Sequence, residues 1–277
     1  MANMFEEKKR KQEAINAAMS KIKHVIAVAS GKGGVGKSTV AANVALSLAK
    51  KGYRVGLADA DIYGPSVPTL FNIENEQIMV TEVDGKQLMV PFEKYGIKMM
   101  SVGFFVDKDK PMLWRGPMAA NTLTQMLTET HWGELDFMVL DMPPGTGDIQ
   151  LTLVQQFSVS GSIFVCTPQQ LAVADVRRAV NMFKNDQVAV PIIGLVENMA
   201  YFTPRELPDN KYYIFGKGGG EALAKELDLE LIAQIPISMD ISETNDTGNP
   251  IALDFSSPEA ECFMELADKI TSKTIKK

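Results

Sequence analysis

Short apolar runs alternate with helical periodicities along most of this chain. His24 to Ala29 is a continuous apolar run rich in β-branched residues, as expected of a strand buried on both faces, and Thr39 to Lys51 repeats apolar positions at helical spacing until Gly52 stops it. The same pair of signals recurs. Strands are predicted over 54–61, 136–141, 162–166, 191–197 and 231–235, and helices over 118–130, 149–157, 169–184, 219–227 and from Pro258 onward. Between them, residues 78–103 alternate, with Asp84-Gly85 as a hairpin signal, and are expected to form an inserted antiparallel element. Strand–helix alternation of this kind predicts an α/β fold: a mostly parallel sheet covered by helices on both faces.

Bulk properties narrow the class. The 277 residues suit one α/β domain; 45% are hydrophobic and 22% charged, and no 18-residue apolar run exists to span a membrane. The first residues, MANMFEEKKRKQE, have no apolar stretch and do not read as a secretory signal, so a cytoplasmic location is expected. A net charge of −6 argues against a broad nucleic-acid surface, and Lys8 to Lys11 reads as a solvated helix face. Two cysteines, Cys166 and Cys262, form no disulfide framework or C-x-x-C pair. His24 and His131 read as structural or surface residues.

The chemistry lies at strand ends. Gly31, Gly36, Lys37 and Ser38 complete G-x-x-x-x-G-K-[ST], in which backbone N–H groups cradle phosphates, Lys37 meets the β- and γ-phosphates and Ser38 faces Mg²⁺. The strand before and the helix after supply the required context, and the helix N-terminus adds its own attraction for anions. Gly33, Gly34, Val35 and Thr39 belong to the same loop, and Lys32 is an extra cation expected to reach a second nucleotide. A nucleoside triphosphatase of this kind also needs a carboxylate near the metal, a group that orients water and a loop that senses the γ-phosphate. Asp141 ends an apolar strand and suits the metal's water shell. Asp59 and Asp61, two apart, are expected to project together, one toward the metal's water and one toward the nucleophile. Gly145, in the rigid run Pro143-Pro144-Gly145-Thr146-Gly147, is expected to offer its N–H to the γ-phosphate. Asn198 ends a strand where its amide could meet a base edge; no N-K-x-D run accompanies it, which favours adenine over guanine. These motifs divide the chain into an N-terminal helical extension, 1–23, and a P-loop ATPase domain, 24–277.

Taken together, GKGGVGKST (31–39), DADIYGPSVP (59–68), WRGPM (114–118), DMPPGTGDIQLTL (141–153), TPQQLAVADV (167–176), VENMAYF (196–202) and IFGKGGG (214–220) give the chain a close resemblance to the Mrp/ApbC family of iron–sulfur carrier ATPases. That family sits in the deviant Walker A group with the nitrogenase iron protein and the septum-site-determining and partition ATPases. The resemblance implies an ATP- and Mg²⁺-dependent homodimer with client iron–sulfur apoproteins or assembly factors as partners. By it, Lys32 is the signature lysine that crosses to the partner's nucleotide, Asp61 orients the hydrolytic water, Asp59 and Asp141 serve Mg²⁺, and Asn198 with the Pro236 loop holds adenine. Neither Arg115 nor the Gly218-Gly219-Gly220 turn receives a secure chemical role.

One departure stands out. The family places a C-x-x-C pair after the VENM segment, but here 201–214 contains no cysteine. A bridged cluster in a dimer needs about two thiolates per subunit, and Cys262 alone supplies one. The family also often carries a small domain ahead of the ATPase, where this chain has about 23 residues. The leading expectation is an Mrp-type ATPase serving iron–sulfur maturation, with its own cluster in doubt. The alternatives are a positioning or partition ATPase, whose membrane version would use the stripe Phe263, Leu266 and Ile270, and a nucleotide-dependent interaction module with negligible turnover. Core packing explains that stripe more simply.

Overall fold

The computed structural model describes residues 2–105 and 116–275. The first half runs α1 (Ala2–Met19), β1 (Ile22–Ser30), α2 (Lys37–Lys50), β2 (Val55–Asp59), α3 (Val67–Leu70), β3 (Val80–Val83), β4 (Lys86–Met89), β5 (Phe92–Lys94) and β6 (Ile97–Ser101). The second half runs α4 (Gly116–Thr128), β7 (Leu135–Asp141), α5 (Asp148–Gln156), β8 (Gly161–Cys166), α6 (Gln170–Lys184), β9 (Ile192–Glu197), α7 (Gly219–Glu226), β10 (Leu231–Gln234), α8 (Met239–Asp246) and α9 (Pro258–Thr274).

Eight strands form one sheet in the order β10-β9-β8-β1-β7-β2-β6-β5. All its pairs are parallel except β5 with β6. The period of two along each central strand divides the core into two layers. Val25, Ala27 and Ala29 of β1 join Met138 and Leu140 of β7 on one face, while Ile26 and Val28 join Phe137 and Val139 on the other. Helices α4, α5 and α6 cover the first layer through Leu123, Leu153 and Phe183, and α2 and α9 cover the second through Leu48 and Phe263. The predicted mostly parallel, two-faced α/β sheet is therefore the observed one.

Two local readings change. β3 and β4 do form the hairpin about Asp84-Gly85, both with positive φ, but β5 and β6 do not extend it. β6 joins the main sheet parallel to β2, because Ile97, Met99 and Met100 are buried and need cover on both faces. Helix α8 was not foreseen: it buries none of its residues and so offers no apolar stripe to read. The stripe Phe263, Leu266 and Ile270 on α9 is wholly buried, which leaves it no membrane to bind. No helix among the described residues is long and apolar enough to cross a membrane.

Within the stretch assigned to the N-terminal extension, β1 already begins at Ile22. Ile15 of α1 is 3% exposed, and Gln12 Nε2 donates to the Gln156 carbonyl at the end of α5.

Candidate functional site

Parallel pairing brings the carboxyl ends of β1, β7 and β2 side by side, where ligands of open α/β sheets bind. Val28 of β1 and Asp59 of β2 both register with Asp141 of β7. Beyond Ser30 the chain makes the glycine loop and enters α2 at Lys37, after Gly36 in the left-handed conformation, φ 81°. A cavity of about 370 Å³ opens over this loop, lined by Lys32, Lys37, Ser38, Thr39, Asp61 and Tyr63 among others. Gly33, Gly34 and Pro144 line it too.

Lys37 is the hub. Its Nζ lies 2.5 Å from Asp141 Oδ1 and 3.2 Å from Asp61 Oδ2, and its side chain is 6% exposed. Burial alone would lower the ammonium's pKa, but the charges of Asp141 and Asp61 outweigh it and raise it above the usual value. Burial pushes the Asp141 carboxyl up, against the opposing pull of Lys37 and the Ser38 hydroxyl. Asp141 Oδ2 is buried with no hydrogen-bond partner. A buried carboxylate oxygen left free next to Ser38 fits a hydrated magnesium ion, which takes hard oxygen ligands and keeps several waters.

Asp59 and Asp61 part company. β2 stops at Asp59, and the Asp61 N–H turns back to donate to Asp59 Oδ1 at 3.1 Å. Asp59 Oδ2 accepts from the N–H groups of Ser66 and Val67 and from Ser101 Oγ. Its carboxylate thus knits the 61–67 loop together, while Asp61 faces Lys37 and the cavity. Burial first, then the charge of Asp141, push Asp59 up to about 7.

Two further expected contacts have other partners here. The Gly145 N–H donates to the Ser30 carbonyl at 2.9 Å, so it can meet a phosphate only if that bond opens. Asn198 Nδ2 donates to the Val35 carbonyl at 2.8 Å from beneath the glycine loop, and Asn198 does not line the cavity. Pro236 lines a separate groove of about 440 Å³ formed with Tyr201, Phe202, Lys211, Met239 and Cys262. Lys32 lines the cavity without an ion pair among the described residues. Arg115 lies outside the described residues.

A family profile described as the NUBPL iron-transfer P-loop NTPase, within the ParA group, matches residues 21–271. The chain belongs to this family. It is similar to the iron–sulfur cluster carrier protein of Aquifex aeolicus, with 49% identity over 257 residues, 92% of this chain and 68% of that protein. The iron–sulfur cluster transfer protein NUBPL of Dictyostelium discoideum is 44% identical over 94% of this chain and 80% of its own. Among solved structures, a nucleotide-binding protein of Archaeoglobus fulgidus in complex with ADP, with cobalt found in it, has 38% identity and a TM-score of 0.76. The match covers 90% of this chain and 94% of that one. The cell-division protein MinD of Aquifex aeolicus, in complex with MinC, shares the fold at 19% identity and a TM-score of 0.63. The glycine loop lies within the residues that the P-loop NTPase profile matches.

The GKGGG turn, 216–220, is shaped by packing. A Cβ on Gly219 would stand 2.2 Å from the Pro168 carbonyl oxygen, and the Gly220 N–H donates to the buried Glu197 Oε1 at 2.7 Å. Glu197, with its other oxygen on Gln234 Nε2, is a buried acid that sequence reasoning passed over. Sequence reasoning also passed over Gln150, a buried amide whose Nε2 donates to the Pro143 carbonyl of the Pro-Pro-Gly loop. Neither has a local signature, since both act on segments far away in the chain. Near the other end of the site, Asn245 of α8 donates to Thr39 Oγ1 at 3.3 Å.

The cysteines follow their burial. Cys166 is fully buried, and burial followed by the charge of Glu197 pushes its thiol up to about 12. Cys262 is half-buried on α9, and burial with Glu265, Glu259 and Glu261 raises it as well. Among the described residues no three His, Cys, Asp or Glu side chains stand together as a metal cage.

Proposed function

We propose that this chain hydrolyses ATP with Mg²⁺ as a homodimer, and that its nucleotide cycle serves iron–sulfur cluster assembly or transfer to client apoproteins. The observation that carries the reading is Lys37, clamped by Asp141 and Asp61 at the mouth of the glycine loop. A triphosphate in the cavity draws Lys37 toward its β- and γ-oxygens and releases both acids. Asp61, on the cavity wall, then orients the attacking water, and Asp141 with Ser38 would hold a hydrated magnesium ion. Bound magnesium would supply neutralisation of charge on the phosphate oxygens.

Lys32 stands five residues before Lys37 and has no ion pair among the described residues, which suits a cation donated across a dimer interface. Tyr63 lines the same cavity and is 71% exposed, and Leu171, at the start of the helix that packs on Gly31, is 78% exposed. Covering such apolar side chains is a driving force for pairing. A lysine delivered only in the closed dimer stabilises transition-state charge only there, as an arginine finger does. Adenine recognition by Asn198 and Pro236 would require Asn198 to leave Val35.

The cargo side rests on the relatives' names and on the family, while the ligands within this chain are sparse. The 201–214 segment has no cysteine, Cys166 is buried, and Cys262 alone reaches a groove. We infer a scaffold or adaptor that engages cluster-bearing partners without a stable C-x-x-C cluster of its own.

The test has two arms. Phosphate release should depend on protein concentration and Mg²⁺ and should fall about a hundredfold in Lys32→Ala. Turnover that is independent of concentration and of Lys32 would defeat the dimer mechanism. Anaerobic reconstitution followed by iron counting should yield well under one cluster per dimer; a stoichiometric cluster that survives Cys262→Ala would overturn the adaptor reading.

A further inference from the structure

Asn198 lies where the glycine loop and the cysteine-free segment meet. Its side chain is 7% exposed, and Nδ2 donates to the Val35 carbonyl, the peptide just before Gly36. A Cβ on Gly36 would stand 2.2 Å from that same nitrogen, so the carboxamide lies flush against the loop's last turn. Its own N–H donates to the Cys166 carbonyl at the end of β8. Both anchors are backbone carbonyls.

The chain then turns sharply. Met199 takes a left-handed conformation, φ 56°, uncommon for a residue with a side chain, and Ala200 N–H donates to the Ile235 carbonyl. Ile237 N–H donates to Tyr201 O, and Phe202 pairs with Tyr212 in both directions across the base of the 201–212 hairpin. Three residues therefore separate Asn198, bonded under the phosphate loop, from Phe202 at the first rung of the neighbouring hairpin. Movement of the Val35–Gly36 peptide acts on that hairpin through a short, bonded path.

From this we infer that Asn198 is a positioning residue: it holds the Val35–Gly36 peptide in the phosphate-binding conformation and ties that conformation to the 201–212 hairpin. The inference rests on reading the cavity as the phosphate site. It differs from base recognition, because a residue that acts through the loop serves every phosphate ligand alike. Removing the donor leaves the Val35 carbonyl buried and unpaired, which is worth about a tenfold change in an equilibrium.

Calorimetric binding of ADP and of inorganic tripolyphosphate to wild type, Asn198→Ala and Asn198→Asp separates the cases. The expected result is a loss of about tenfold for both ligands, by the same factor, in both variants. Loss for ADP with tripolyphosphate unchanged would assign Asn198 to the base and overturn the proposal, as would unchanged binding of both. The turnover of each variant should fall in kcat/KM through KM more than through kcat. Should the variants fail to fold, amide exchange in the wild type decides: saturating ADP should slow exchange at 199–202 and 212 about threefold or more, and identical exchange would overturn the coupling. Wild type that binds neither ligand would remove the phosphate-site reading itself, an outcome distinguished by needing no substitution.

Discussion

The phosphate end of the sheet and the 201–216 segment lie on either side of Asn198, yet they are built on opposite plans. Around the glycine loop, Lys37, Asp59, Asp61 and Asp141 are all under a tenth exposed and bond one another or nearby backbone. Around the hairpin, Leu207, Tyr212, Tyr213 and Ile214 are exposed, and Lys211 and Lys217 lie over Tyr201 and Tyr213. Buried charges are expensive unless each is paired, so the first region tolerates few arrangements. Exposed cation–aromatic contacts contribute roughly 0.5–1 kcal/mol and leave the second region free to vary.

Substitutions should separate the two regions, and the largest effect is expected at Lys37. Lys37→Ala leaves Asp61 and Asp141 buried without their cation; it should cut phosphate release by at least about a hundredfold and destabilise the fold by about 3 kcal/mol in urea titration. Near-normal turnover would show that the clamp is not the motor.

Next comes a pair of glycines within one loop. A Cβ on Gly31 would meet the backbone of α6 at 2.2 Å from Asp175 C, whereas a Cβ on Gly33 would meet nothing within 4 Å. Gly31→Ala should lose about 1–3 kcal/mol by overpacking, while Gly33→Ala should fold with wild-type stability. Equal thermal midpoints for the two would break the argument that this loop is held by α6.

Acidity probes the same region more gently. Asp59 rises from the ordinary 3.8 to about 7, so between those values the folded chain holds a proton that the unfolded chain has lost. That contribution to stability is complete below pH about 4 and is lost as pH rises through about 7. Urea midpoints measured from pH 5 to 8 should contain a declining component that Asp59→Asn removes, and parallel profiles would discount it.

The smallest effect is expected at the hairpin. Arg205→Ala breaks an exposed pair with Asp240 and should shift stability by less than about 0.5 kcal/mol with turnover unchanged. A tenfold loss of turnover there would mean that the two regions are not separable by mutation at the hairpin's tip.

Legibility followed the same divide. The loop 31–39 and the strand ends at Asp59 and Asp141 could be read from order and spacing, because a phosphate loop needs a strand, glycines and a helix in immediate succession. The shared projection of Asp59 and Asp61 could not, since it assumed a strand continuing past Asp59. Gln150, Glu197 and Asn245 gave no signal, because their partners Pro143, Gly220 and Thr39 are chosen by packing. Helix α8 escaped notice because it has no buried face to imprint a periodicity.

By itself, then, the sequence determined the two-faced parallel sheet, the glycine loop between strand and helix and the lack of a C-x-x-C pair, all of which depend on residues close together along the chain. Tertiary structure decided that Lys37 sits between two acids, that Asp59 serves the 61–67 loop, and that Asn198 grips Val35 from 163 residues away. The reason is physical. Periodicity and turn chemistry are local, whereas the partner of a buried polar group is whichever distant group the sheet order brings within bonding distance.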